Sequence, residues 1–165
     1  MGEIIEVKGN VLNGGYGAVI HQANSRVQFG AGIALEIKKR FPKAYKADMD
    51  FPVDAGRKRL GKFSYALVEH PYNGEMIIVN VYGQDHWGGR GPKNDGVRTE
   101  YEYLEKGIRD AIIYIKENYP GVKSFAVPRL IGCGLAGGDW KRVYSDLQKI
   151  VDDLDVVLYI SEFTP

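Results

Sequence analysis

Apolar positions recur along this chain in two rhythms. Ile4-Ile5-Glu6-Val7 reads as a short strand closed by Gly9-Asn10, and Ala18-Val19-Ile20-His21 as a second strand after the Gly-Gly turn at 14–15. Ile33, Ala34 and Ile37 then share one face of a segment whose last turn carries Lys38, Lys39 and Arg40. That arrangement predicts a helix over 33–40, with cations where the helix dipole favours them. Pro42 stops it, and a weaker helix is expected from Ala44 to about Asp54. Residues 63–69 and 76–81 read as strands joined by the hairpin loop His70-Pro71-Tyr72-Asn73-Gly74. From Thr99 to Asn118, Tyr103, Leu104, Ile108, Ala111, Ile112 and Ile115 keep a helical period. A strand over 123–128, a helix from Asp139 through Asp153 and a strand over 156–160 complete the chain.

Apolar strands alternating with helices predict an α/β fold of three layers, α/β/α, around a mostly parallel, mixed sheet of about six strands. In such sheets, ligands bind beyond the carboxyl ends of strands. Composition then draws attention to one residue type: 21 glycines, clustered near 9–17, 30–32, 83–91 and 132–138. Three of these clusters follow strands. Glycine there permits tight turns and lets backbone approach a ligand closely.

The remaining bulk properties mostly exclude. A length of 165 residues suits one domain over 1–165, large enough to bury about two-thirds of its unfolded surface. A net charge of +1 gives no broad reason to expect a nucleic-acid partner. The basic group Arg57, Lys58, Arg59 and Lys62 reads as a solvated face. The N-terminal stretch is neither a signal peptide nor a membrane span, so no membrane partner is expected. One cysteine, Cys133, precludes an intramolecular disulfide and fits a reducing compartment, with the cytoplasm as the expected location. Three histidines without metal-ligand spacing exclude a zinc site, and no cofactor is expected.

Three loops can carry chemistry. The first runs from His21 to Ile33 and ends in Gly30-Ala31-Gly32 at a helix start, a place suited to an anion. Within it Asn24 can serve ribose hydroxyls or form an Asx-turn, and His21 can be a packed residue or a base. The second, Gly132-Cys133-Gly134-Leu135-Ala136-Gly137-Gly138, precedes a helix and favours phosphate held by backbone nitrogens. It matches neither a P-loop nor Gly-x-Gly-x-x-Gly. Asp139 is a helix N-cap that could also act in catalysis. Cys133 is a small filler or a nucleophile. The third loop, Tyr82 to Lys93, mixes titratable and aromatic groups, among them the pair Asp85-His86.

Together these segments resemble the macrodomain family. Glu6-Val7-Lys8-Gly9-Asn10-Val11-Leu12 is similar to the family's opening strand and turn. Val19-Ile20-His21-Gln22-Ala23-Asn24, followed by Gly30-Ala31-Gly32-Ile33-Ala34, is similar to its Asn-Ala-Ala-Asn and glycine-rich segment. Val127-Pro128-Arg129-Leu130-Ile131-Gly132-Cys133-Gly134-Leu135 resembles its diphosphate loop. The Ile-Gly-Cys-Gly-Leu form looks like the branch holding ADP-ribose 1″-phosphate phosphatases and terminal ADP-ribose glycohydrolases.

The resemblance implies a small-molecule ADP-ribose derivative as ligand, with an ADP-ribosylated protein as the larger partner. It places Gly9, Asn10 and Val11 by the adenine and Asn24 at the distal ribose. Gly30, Ala31, Gly32 and Ile33 would form the first loop over the diphosphate, and Gly132, Cys133, Gly134, Leu135 and Ala136 the second. Tyr82, Gly83 and Arg129 join the expected ligand-binding set, and Asn24, His21 and Asp139 the expected catalytic one. Two departures stand out. Ala136 occupies the position of an aromatic or a catalytic Asp in relatives, and Val79 to Gln84 contains no Lys where ester-cleaving glycohydrolases carry a nucleophile. The implied activity is hydrolysis of ADP-ribose 1″-phosphate to ADP-ribose and phosphate. Removal of ADP-ribose from protein, deacetylation of O-acetyl-ADP-ribose, and reading ADP-ribose without turnover are the alternatives.

Overall fold

The computed structural model describes residues 2–71, 74–85 and 89–163. Strand β1 (Glu3–Lys8) leads to β2 (Ala18–Asn24), then helices α1 (Gly32–Arg40) and α2 (Pro42–Asp50). The hairpin β3 (Phe63–His70) and β4 (Gly74–Gln84) follows, then α3 (Tyr101–Asn118), β5 (Phe125–Pro128), α4 (Trp140–Leu154) and β6 (Val157–Glu162). The strands form one sheet in the order β1-β6-β5-β2-β4-β3. All neighbours pair in parallel except β3 with β4, whose register runs from Phe63 opposite Val81 to His70 opposite Gly74. Tyr72 and Asn73 of the expected hairpin loop lie outside the described residues, as do His86, Trp87 and Gly88 of the third loop.

The two-residue period of the strands sorts side chains between two cores. Ala18 and Ile20 of β2, with Ile77, Val79 and Val81 of β4, meet α3 and α4 through Ile108, Ile112, Leu147 and Ile150. Val19 and Ala23, with Met76, Ile78 and Tyr82, meet α1 and α2 through Ile37, Phe41 and Ala44. The sheet is therefore covered on both faces, which explains why its central strands are apolar on both sides. Truncating Ile112, fully buried in the first core, would cost about 2–5 kcal/mol.

The predicted elements are present with shifted ends. β2 runs on to Asn24, because its extension pairs with Gln22 opposite Val81 and Asn24 opposite Gln84. Pro42 ends α1 and also opens α2, where its missing N–H costs nothing. The longest helix starts at Tyr101, since Thr99 is held extended by a bridge to Gln84. Among the described residues no helix is long and apolar enough to cross a membrane.

Candidate functional site

After β2 the chain passes toward β3 and β4; after β5 it passes the other way, through α4 to β6. The two exits diverge between adjacent strands, which leaves a crevice beyond their carboxyl ends. A cleft of about 730 Å³ lies there, within the range of roughly 300–1,000 Å³ usual for small-molecule sites. Asn24, Gln84 and Pro128, the last residues of β2, β4 and β5, all line it.

One wall is the first glycine-rich loop. Gly30, Ala31, Gly32, Ile33 and Ala34 face the cleft at the start of α1. Ala31 occupies the N-cap position without a side-chain cap bond, and the first bond closing the helix runs from Leu35 N to Ala31 O at 3.2 Å. Among the described residues, no hydrogen bond uses the N–H of Gly30, Gly32, Ile33 or Ala34. A helix start with open N–H groups carries partial positive charge.

The opposite wall is the second loop, where Arg129, Gly132, Gly134, Leu135 and Ala136 line the cleft. Its shape comes from internal bonds: Cys133 N to Leu130 O at 2.7 Å, Gly137 N to Gly134 O at 3.1 Å and Gly138 N to Gly132 O at 3.0 Å. Gly132 adopts φ +73°, a conformation that side chains resist, and an added Cβ would sit 2.9 Å from Leu104. The N–H groups of Gly134, Leu135 and Ala136 make no bond among the described residues. Leu130 and Leu135 form an apolar lip, Leu135 being 71% exposed.

Asn24 forms the Asx-turn, one of the two readings left open by the sequence. Its Oδ1 accepts from Arg26 N at 2.9 Å, an Asx-turn, and its Nδ2 donates to Gln28 O at 2.9 Å, yet the residue still lines the cleft.

Several expected site residues sit elsewhere. His21 is fully buried: strand alternation turns it onto the α1/α2 face, against Phe29. Its Nε2 lies 2.6 Å from Asn80 Oδ1. Because Asn80 Nδ2 donates to Ala44 O and Ser64 Oγ, that Oδ1 must accept, so Nε2 carries the proton. Burial lowers the His21 pKa from 6.5 to about 4, against the raising effect of the Asn80 bond. It is thus corrected from a candidate base to a packed, neutral imidazole.

Tyr82, also fully buried, gives its hydroxyl to Asp48 Oδ1 at 2.6 Å and is not at the cleft. Gly83 is buried beneath Gln22 rather than lining the cleft; a Cβ there would meet Gln22 Oε1 at 2.3 Å. Asp139 is the N-cap of α4, accepting from Lys141 N at 3.0 Å, and lies outside the lining. Cys133 turns toward the α3/α4 core, and burial pushes its thiol up to about 11, the opposite of an activated nucleophile. Gly9, Asn10 and Val11 do not line the cleft. Asn10 Oδ1 caps a short 3₁₀ turn through Leu12 N at 2.9 Å and its Nδ2 donates to Glu36 at 2.9 Å, while Val11 is buried. In the basic group, Arg59 is 3% exposed and bonds Asp48, and Arg57 pairs with Glu100, so the four cations do not form a free patch.

The structure adds cleft residues that sequence reasoning passed over: Gln22, Gln28, Gln84 and Arg98. Gln22 Nε2 donates to Gln84 Oε1 at 2.7 Å and to Thr99 Oγ1 at 3.0 Å. Strand alternation carried past His21 would have found Gln22, which faces away from it. Arg98 had no signal, because it lies in an irregular polar stretch.

The Macro domain family matches residues 20–146, the segment that builds both walls of this cleft. The chain belongs to the Macro domain family. Among its relatives, the DNA ADP-ribosyl glycohydrolase of Thermus aquaticus is 29% identical over 151 residues, covering 92% of this chain and 38% of that protein. This macrodomain therefore spans about two-fifths of that relative's length. The ADP-ribose 1″-phosphate phosphatase of Candida glabrata is 30% identical over 91 residues, covering 54% of this chain and 49% of that protein. The solved macrodomain of Mycobacterium tuberculosis DarG superimposes with a TM-score of 0.73 at 26% identity, covering 100% of this chain and 99% of that one.

Proposed function

We propose that this macrodomain binds the ADP-ribose group in the cleft and hydrolyses a bond at its distal ribose, with ADP-ribose 1″-phosphate as the first substrate to test. The observation that carries this reading is that two walls of one cleft are built by residues whose main-chain N–H groups make no bond among the described residues. Such donors suit the two adjacent charges of a pyrophosphate. The names of the relatives support the reaction class, since both glycohydrolase and phosphatase act on ADP-ribose derivatives.

In the phosphatase reaction a water oxygen forms a bond to phosphorus, the P–O bond to C1″ breaks, and the ribose oxygen gains a proton. With His21 and Asp139 outside the cleft, the water's proton passes to the substrate phosphate, whose second pKa near about 6 leaves it basic at neutral pH. Asn24 and Gln84 orient the distal ribose and the water. Cleavage of ADP-ribosylated DNA uses the same cleft, and the Thermus relative's name makes nucleic acid a partner to test against the expectation from net charge.

A second reading, a reader without turnover, is favoured by the lining itself: none of its described residues is His, Cys, Lys, Asp or Glu. Phosphate release from purified protein with ADP-ribose 1″-phosphate tests these. Release supports the hydrolase; tight binding with the substrate recovered intact supports the reader; no binding of ADP-ribose overturns both.

A further inference from the structure

The cleft contains two arginines, and they stand in opposite electrostatic situations. Arg129 is paired with Glu162 at 3.5 Å and its guanidinium lies 5.7 Å from the Trp140 ring centre. Arg98 has no ion pair among the described residues. Its Nη1 donates to Gly89 O at 2.9 Å, while its Nε is buried with no hydrogen-bond partner. The other cations near this end of the sheet are matched by acids: Arg26 holds Asp85 through two bonds of 2.9 and 3.0 Å, and Arg57 holds Glu100 through two of 2.9 and 3.0 Å. No carboxylate lines the cleft among its described residues. A half-buried guanidinium with an orphaned donor, in a cleft without acids, is an unfavourable arrangement until an anion arrives.

Its position indicates which anion. Arg98 N bonds Ala136 O at 2.7 Å, at the far end of the second loop. The next residue, Thr99, bridges Gln84, which is itself paired with Asn24. Arg98 therefore stands beside the Asn24/Gln84 end of the cleft, the end that the resemblance assigns to the distal ribose. The geometry points to Arg98 as a specificity residue for a second phosphate, one attached to or flanking the distal ribose of the ADP-ribose group. This rests on the ADP-ribose reading above and narrows its substrate class. Two sources present that chemistry: a phosphomonoester at C1″, and the phosphodiester of an ADP-ribosylated nucleotide chain. A guanidinium fork binds either through paired N–H groups.

Calorimetry with ADP-ribose, ADP-ribose 1″-phosphate and an ADP-ribosylated single-stranded oligonucleotide separates the possibilities, using wild type, Arg98→Gln and Arg98→Lys. Wild type is expected to prefer at least one phosphate-bearing ligand over ADP-ribose by about tenfold, the scale of one charged hydrogen bond. Arg98→Gln brings that ratio close to one, and Arg98→Lys, which keeps the charge, retains part of it. A preference for the monoester alone assigns the first source; a preference for the oligonucleotide alone assigns the second. The inference is overturned if wild type binds ADP-ribose without any preference, if the Gln variant keeps the full ratio, or if Lys behaves as Gln does. Binding of none of the three ligands by wild type removes the ADP-ribose reading itself.

Discussion

Thr99 Oγ1 donates to the carbonyl of Gly132 at 2.6 Å, tying the segment ahead of α3 to the second glycine-rich loop. The same carbonyl also accepts from Gly138 N at 3.0 Å. Thr99 Oγ1 in turn accepts from Gln22 Nε2, so one buried hydroxyl links β2, the Gln84 bridge and the loop. Thr99→Val keeps the shape and removes the hydroxyl, so Gly132 O keeps only its bond from Gly138 N and Gln22 Nε2 only its bond to Gln84 Oε1. The expected cost is about 0.5–1.5 kcal/mol in thermal or urea unfolding. Because the loop loses an anchor, ADP-ribose affinity is expected to fall by roughly tenfold as well. Unchanged affinity in a destabilised protein would mean that the loop's internal bonds suffice to hold it.

Gly134 offers a cleaner probe of the anion site. A Cβ added there meets nothing within 4 Å, so Gly134→Glu is expected to fold with stability within about 0.5 kcal/mol of wild type. Its carboxylate would lie among the N–H groups of Gly134, Leu135 and Ala136 and repel a pyrophosphate. Repulsion between close like charges costs several kcal/mol, so binding should weaken by roughly 100-fold or more. Wild-type affinity in a calorimetric titration would place the pyrophosphate elsewhere.

Gly134 also illustrates what the sequence could carry. The glycine-dense stretches and the strands before them are local signals, and both walls of the cleft followed from them. The failures share a different cause. His21 stands next to Gln22 in sequence and Tyr82 two residues before Gln84, but each lies on the α1/α2 face, where Asn80 and Asp48 engage them. Deciding which face was which needed the sheet order, a non-local property. Arg98 enters the cleft only because Thr99 bridges Gln84 and Ala136 receives its N–H, contacts spanning separate parts of the chain. Asp139 was correctly read as a cap; whether a cap also faces a ligand depends on how the preceding loop folds.

Asn24 supports a comparison of two variants. Asn24→Ala removes the bonds from Arg26 N and to Gln28 O and should destabilise by about 1–3 kcal/mol while loosening the first loop. Asn24→Asp keeps the acceptor for Arg26 N, loses only the donor, and adds a negative charge to the cleft. Its stability should therefore exceed that of the Ala variant, and its affinity for ADP-ribose should be lower than that of Ala. The reverse order of affinities would show that loop shape, rather than charge at this position, governs binding.

Cys133 is expected to be unreactive. Burial, with Asp139 acting in the same direction, pushes its thiol up to about 11, so the thiolate is scarce at neutral pH. Alkylation by iodoacetamide at pH 7.5 should run at least tenfold slower than that of an unperturbed thiol, which titrates near about 8.5. Cys133→Ala should accordingly leave phosphate release intact. Rapid alkylation that abolishes release would restore Cys133 as a nucleophile.

His21 sets an acid limit on the fold. Its proton affinity drops from the unfolded value of 6.5 to about 4 in the folded chain, with burial as the largest cause. Between those values the unfolded chain binds the proton and the folded chain does not, so stability falls as pH decreases through that window. From pH 7 to pH 4.5 this group alone removes about 2–3 kcal/mol. Asp48 opposes the trend: burial raises its carboxyl in the folded chain, which favours the folded form on acidification. The His21 contribution is isolated by comparing wild type with His21→Gln, a side chain still able to donate to Asn80 Oδ1 but without a titratable ring. Urea midpoints at pH 7 and pH 4.5 should converge more in the variant, reducing the acid loss by about 2–3 kcal/mol. An equal loss in both proteins would mean that His21 takes up its proton as readily in the folded chain as in the unfolded one, and burial would not be what keeps the imidazole neutral.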